Sequence, residues 1–139
     1  MPLRYDAGEV ITAMITPFDK ERQVDYNQVE KLADYLADNG SDGILVAGTT
    51  GESPTLTHEE EFEILLSVKS IVGNRAKIIM GAGSNSTQTA VEMSKKVAAA
   101  GVDAILSVVP YYNKPTKSGL YEYFKAVAES TDKGIVIYN

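Results

Sequence analysis

The residues best placed to do chemistry are two adjacent threonines flanked by glycines, Gly48-Thr49-Thr50-Gly51, with Glu52 and Ser53 following. An apolar run, Ile44-Leu45-Val46-Ala47, precedes them and a helix start follows, so the stretch falls where a buried strand hands over to a helix. Glycines allow a sharp turn and close approach to a ligand. Neighbouring hydroxyls can each donate and accept a proton. The combination suits a small anion or a carbonyl compound, whereas a purely structural turn would use the threonines only to satisfy its own backbone. The elements around the turn have to decide between the two.

Val10 to Phe18 reads as a first strand, ended by Pro17, whose missing N–H and fixed φ stop ladder pairing. Asp25 caps a helix with Gln28 at the capping-box position, and Val29, Leu32, Ala33 and Leu36 form its apolar stripe before Gly40 closes it. Gly43 to Ala47 is the second strand. Thr57 and Glu60 form a capping box opening a second helix with the stripe Phe62, Leu65, Leu66 and Val72, closed by Gly73. Lys77 to Gly81 is a third strand with Gly81-Ala82-Gly83-Ser84-Asn85 as its exit turn. Ser86 or Thr87 starts a third helix carrying Ala90, Met93 and Val97, closed by Gly101. Ala104 to Val109 is a fourth strand running into Pro110-Tyr111-Tyr112-Asn113. A helix over about 117–130 and a fifth strand from Gly134 to Asn139 complete the chain.

Strand starts near 43, 77, 104 and 134 give a repeat of roughly thirty residues, the length of one βα unit. Gly40-Ser-Asp-Gly-Ile-Leu and Gly101-Val-Asp-Ala-Ile-Leu occupy the same place in two such units. Short continuous apolar strands are expected when helices cover one face and further core the other. No internal boundary, linker or low-complexity segment is evident over residues 1–139. Five strands and four helices fit a small open α/β sheet or the first half of an eight-stranded barrel. Either way, right-handed crossovers collect the C-terminal strand ends at one ligand-binding rim. That rim would gather Thr16, Thr49, Thr50, Gly81, Gly83, Tyr111, Tyr112, Tyr138 and Asn139.

A chain of 139 residues can bury a substantial core. Its formal charge of -6 argues against nucleic acid or an anionic membrane as partner, because its 13 basic residues are scattered. Without cysteine there is no disulfide framework, thiolate nucleophile or Cys-based metal site, and a single histidine, His58, speaks against a His-rich zinc site; no metal is expected. No apolar segment approaches the ~18 residues of a membrane span, and the N-terminus lacks a signal-peptide core, so the cytoplasm is the expected compartment. Phosphate binding at the glycine turns lacks a Walker A or dinucleotide pattern. A serine nucleophile lacks its G-x-S-x-G setting. Proton transfer through hydroxyls fits better, since Tyr112 and Tyr138 leave neighbouring strands toward the rim that holds Thr49, and such a relay works without a titrating carboxylate. Tyrosines that merely cap the core would look the same by spacing.

Three motifs in order carry a resemblance: Gly48-Thr-Thr-Gly-Glu-Ser53 with Leu56, Pro110-Tyr-Tyr-Asn-Lys-Pro115 with Gly119-Leu-Tyr-Glu-Tyr-Phe124, and Ile137-Tyr138-Asn139. They resemble the dihydrodipicolinate synthase family, also called 4-hydroxy-tetrahydrodipicolinate synthase, across essentially the whole chain. The resemblance implies the first half of a (β/α)8 TIM barrel with about five parallel strands and four helices. It also implies condensation of pyruvate with aspartate semialdehyde, in lysine and diaminopimelate biosynthesis, through a lysine imine and with no cofactor. Thr50 would bind the pyruvate carboxylate. Thr49, Tyr112 and Tyr138 would form the proton relay, with Tyr138 serving the imine carbon. Tyr112 would reach a partner subunit's site, which implies a homo-oligomer, dimer or tetramer. N-acetylneuraminate lyase and keto-deoxy-sugar aldolases share the scaffold and are the alternative enzymes. A catalytically silent half-barrel assembly module is the non-enzyme alternative.

The sequence also departs from the family pattern. The arginine that binds the semialdehyde and the imine-forming lysine of strand six are absent, and none of the ten lysines here takes that place. The chain alone is therefore expected to be inactive, and as a half-barrel to leave its first and fifth strands unpaired on one side, favouring pairing with itself or a missing half. The family's lysine-inhibition site maps onto Ser53, His58, Asn85 and Tyr111. Glu61 and Thr89 stand where inhibited members have a histidine and a glutamate, so weak or no inhibition by lysine is expected.

Overall fold

Short apolar runs alternate with capped amphipathic segments, and in the computed structural model each becomes a strand or a helix in turn; the structure describes residues 5–139. In chain order these are β1 (Ile11–Ala13), α1 (Tyr26–Asp38), β2 (Gly43–Val46), α2 (His58–Val72), β3 (Lys77–Gly81), α3 (Thr87–Ala99), β4 (Ala104–Val108), α4 (Lys117–Glu129) and β5 (Gly134–Tyr138). A one-turn 3-10 helix, Ser53–Thr55, lies between β2 and α2. The chain divides into two compact units, one of Asp6–Met80 and one holding Gly81–Asn139 with Tyr5.

In the unit of residues 6–80, β1, β2 and β3 pair in parallel, with Ala13 opposite Leu45 and Leu45 opposite Ile79. The first strand is shorter than the sequence predicts. Met14 N still donates to Leu45 O at 3.0 Å, but the chain then leaves the ladder, and Phe18 forms an isolated antiparallel bridge with Val24. The second strand stops at Val46 because Ala47 takes a left-handed φ of +50°. Helices α1 and α2 pack on each other and on β2, and Val29, Ala33, Ile44, Val46, Ile64, Leu65, Val68 and Val72 on these elements are buried. Removing Leu65 to alanine from such a site costs about 2–5 kcal/mol.

Helix α2 faces the core with a different stripe from the predicted one. Glu61, Ile64, Leu65, Val68 and Val72 are buried, a spacing that follows one helical face, while Leu66 is 45 % exposed. Both predicted N-caps are present, but the capping box predicted with Gln28 is not, because Asp25 N donates to Pro17 O at 2.9 Å instead. The Asp25 side chain accepts from Gln28 N, and Thr57 and Glu60 exchange both bonds of a capping box. Across the two helices, Tyr26 donates its hydroxyl to Glu63 Oε2 at 2.9 Å. Burial, with Glu63 and Glu60 alongside, pushes its pKa up to about 12. Arg75 forks from the end of α2 onto Asp34 and Asp38 of α1.

In the unit of residues 81–139, β4 and β5 pair in parallel, from Ala104 opposite Gly134 to Val108 opposite Tyr138. Ala90, Met93 and Val97 of α3 are buried as predicted, and Ala90 joins Tyr123 and Val127 of α4 in a cluster against Phe124 and Ile135. A Cβ on Gly83 would fall on the Val108 backbone nitrogen, so only glycine allows the β3 exit to lie against β4. Among the described residues β1 and β5 each pair on one side only, and Ile11, Ile137 and Tyr138 on them are exposed.

Candidate functional site

In the unit of residues 6–80 the candidate residues gather where β2 hands over to α2. The turn is closed by Glu52 N donating to Thr49 O at 3.0 Å and Ser53 N donating to Gly48 O at 3.3 Å. From the end of the β1 segment, the buried Thr16 donates its hydroxyl to Gly51 O at 2.6 Å. A Cβ on Gly51 would be a tight fit, 3.1 Å from Met14 O and 3.3 Å from Thr16 Oγ1. Ala47 at φ +50° and Glu52 at φ +58° flank the glycine-threonine stretch, both in a region that costs a non-glycine residue roughly 1–2 kcal/mol. Thr49 and Thr50 sit exposed at the tip, and within this unit their hydroxyls bond to no other group. The turn therefore presents two hydroxyls that are free within this unit, on a backbone held through Gly48 O, Thr49 O and Gly51 O.

Ser53 and His58 are brought together by a residue that the sequence marks only as a departure from the family pattern. Glu61, 4 % exposed in the first turn of α2, accepts from the Ser53 hydroxyl at 2.5 Å and meets His58 Nδ1 at 3.0 Å. Its burial was readable only from the true phase of the α2 stripe. Thr16, which the sequence placed at the rim, proves to be a tie for the turn. Among the described residues no group of three His, Cys, Asp or Glu side chains is arranged to hold a metal ion.

In the unit of residues 81–139 the tyrosines occupy adjacent strand exits. Val109 N donates to Tyr138 O at 2.9 Å, which fixes the end of β5 beside the start of the Pro110–Pro115 segment. Tyr111 and Tyr138 are about half exposed and Tyr112 is 95 % exposed. Asn113 N donates to Tyr111 O at 2.9 Å across Tyr112, whose φ is +71°, forming a three-residue turn of the strained kind. Asn113 Nδ2 donates to Asn85 O at 3.1 Å, the segment's tether to the β3 exit. That exit is held in turn by the buried Tyr123, whose hydroxyl accepts from Ser84 N at 3.1 Å and lies 3.3 Å from Ser107 Oγ. Asn113 and Tyr123 carried no functional signal in the sequence beyond their place in the motifs.

Parallel strands in βα order, with hydroxyls and glycines placed just past their C-terminal ends, define an α/β protein of the barrel type, in which such ends carry the chemistry. Residues 6–139 match the Dihydrodipicolinate synthetase family, and the chain belongs to it. The 4-hydroxy-tetrahydrodipicolinate synthase of Synechococcus sp. (strain JA-2-3B'a(2-13)) is 57% identical over 132 residues, covering 95% of this chain and 43% of that protein. The crystal structure of the dihydrodipicolinate synthase of Cyanidioschyzon merolae with lysine bound is 51% identical, with a TM-score of 0.94 over 96% of this chain and 46% of its own. The chloride-inhibited dihydrodipicolinate synthase of Acinetobacter baumannii complexed with pyruvate is 40% identical, with a TM-score of 0.94 over 96% of this chain and 46% of its own. The chain thus spans a little under half the length of the relatives it matches, and its five parallel strands and four helices are the first half of a (β/α)8 barrel.

Proposed function

We propose that these residues supply the pyruvate-handling half of a 4-hydroxy-tetrahydrodipicolinate synthase, a cytoplasmic lyase that condenses pyruvate with aspartate semialdehyde on the route to diaminopimelate and lysine. The observation that carries the reading is the Gly48–Ser53 turn, which offers two uncommitted hydroxyls at the exit of a buried strand. The Thr50 hydroxyl and backbone amide hold the pyruvate carboxylate. A lysine amine and the pyruvate ketone lose water to form an imine. Tyr138 then takes a proton from, or returns it to, the carbon beside that imine, and Thr49 and Tyr112 pass the proton on. Each hydroxyl gives one proton while accepting another, so no charge accumulates along the relay.

The strained, outward setting of Tyr112 supports its delivery into the site of a second copy, within a dimer or tetramer. A non-glycine residue held at positive φ with its ring in solvent is what a side chain serving another surface would look like. The imine lysine is not among the ten lysines of this sequence. Lys77 opens a strand rather than closing one, Lys31, Lys69, Lys95, Lys96, Lys117 and Lys125 lie on helices, and Lys20, Lys114 and Lys133 lie in turns. All ten are at least partly exposed, whereas an imine-forming lysine is activated by desolvation.

The relative from Cyanidioschyzon merolae has lysine bound, and Ser53, His58, Asn85 and Tyr111 are the candidate regulatory residues here. Glu61 already engages the Ser53 hydroxyl and the His58 ring, which supports weak inhibition at most. Mass spectrometry after pyruvate and borohydride tests the assignment. The 139 residues alone are expected to gain no adduct, and the chain completed to the length of its relatives is expected to gain one. An adduct on the short chain, or none on the completed one, would overturn it.

A further inference from the structure

The Gly48–Ser53 turn has a left-handed residue at each end, Ala47 at φ +50° and Glu52 at φ +58°, neither of them a glycine or an asparagine. Such a turn relaxes unless its surroundings over-determine it. One restraint, the Thr16 hydroxyl on Gly51 O, acts from the β1 side. The other acts at Ser53, which closes the turn through its backbone, N to Gly48 O at 3.3 Å, and is itself tied through its side chain to Glu61 at 2.5 Å. Glu61 is a carboxylate with 5 % of its side chain exposed, seated in the first turn of α2 where the helix favours negative charge. Both its oxygens are engaged, one by Ser53 and one by the His58 ring, so its own position is set. A short hydroxyl-to-carboxylate bond is among the stronger hydrogen bonds available to a protein.

We propose that Glu61 is a positioning residue for pyruvate: through Ser53 it locks the strained turn in the one backbone shape that aims the Thr50 amide and the Thr49 and Thr50 hydroxyls at the substrate. The proposal rests on the functional reading above and adds to it a residue that would touch neither substrate nor relay. Without the lock, the turn samples relaxed shapes in which the threonines point elsewhere, and binding-competent turns become a minority.

The test compares Glu61→Ala, Ser53→Ala, the double variant and Glu61→Gln in the chain completed to the length of its relatives, by steady-state kinetics and amide hydrogen exchange. Glu61→Ala is expected to lower kcat/KM for pyruvate about tenfold or more, largely through KM, and to speed exchange at Thr49–Ser53 about tenfold. Ser53→Ala should match it, and the double variant should be no worse than either, because both remove one bond. Glu61→Gln keeps an acceptor for the Ser53 hydroxyl and should recover most of the loss. A merely structural Glu61 would lower the melting temperature and leave the kinetics of the folded protein unchanged, and that result overturns the proposal. So does faster exchange without a rise in KM. If Glu61→Ala fails to fold, Ser53→Ala carries the same test. If the wild-type protein turns over no pyruvate, the functional reading falls, and unchanged exchange at Thr49–Ser53 in the variants would then sink the lock itself.

Discussion

The two segments that carry the candidate chemistry are built in opposite ways. The Gly48–Ser53 turn is bound from both sides, by Thr16 and by Ser53 on Glu61, and its two threonine hydroxyls are left uncommitted within their unit. The Pro110–Pro115 segment is exposed from Tyr111 onward, and among the described residues one side-chain bond, Asn113 to Asn85 O, ties it down. Both contain non-glycine residues at positive φ. In the first the strain is held by internal partners. In the second the strain is nearly unsupported within its unit, as expected if another surface completes it. Preorganised groups suit small anions, which offer little binding energy to order a loop.

Substitutions can break or sharpen this contrast. Gly83→Ala strikes the β3 exit to which the second segment is tethered, and the clash with the Val108 backbone should destabilise the protein by about 3 kcal/mol, read by urea unfolding. Thr16→Val leaves the Gly51 carbonyl without its buried donor, so a loss of about 2 kcal/mol is expected, with faster exchange at the first turn only. Tyr112→Gly should have the opposite sign. Glycine adopts φ +71° freely and the ring is in solvent, so stability should rise by about 1 kcal/mol while pyruvate-dependent activity is lost. A stability loss there would mean that the tyrosine is packed, and the contrast would fail.

Tyr26→Phe reports on a tie remote from both segments. The folded-state pKa of about 12 lies above the ordinary tyrosine value near 10, so the fold favours the neutral hydroxyl. That stabilisation is complete below pH 10 and is lost as pH rises through 12. The wild-type protein should therefore lose stability across that window slightly more than Tyr26→Phe does, by unfolding midpoints measured at pH 9 and pH 11.5.

Most of the architecture was legible because it rests on repeated local signals. Capping residues such as Asp25 and Thr57, closing glycines such as Gly73 and Gly101, and short apolar runs recur at the βα period. What was hidden depended on phase and on backbone. The α2 stripe could be drawn through Leu66 or through Glu61 and Val68, and an acid at a buried position argued for the wrong choice. Ala47, Glu52, Tyr112 and Lys114 adopt left-handed backbone that nothing in their side chains announces. The first strand looked longer because Ile15 and Phe18 extend its apolar run, yet the chain bends at Met14 so that Thr16 can reach Gly51. The candidate threonines and tyrosines were visible as motifs, but what holds them was not: Asn113 and Tyr123 act through partners distant in sequence, and Glu61 through a burial that depends on the phase of the α2 stripe.

The most direct test of the central claim is the rate at which Tyr138→Phe, in the chain completed to the length of its relatives, condenses pyruvate with aspartate semialdehyde. If the hydroxyl at the end of β5 moves the proton, kcat should fall about a hundredfold or more while borohydride still traps pyruvate on the protein. An unchanged kcat would contradict the account.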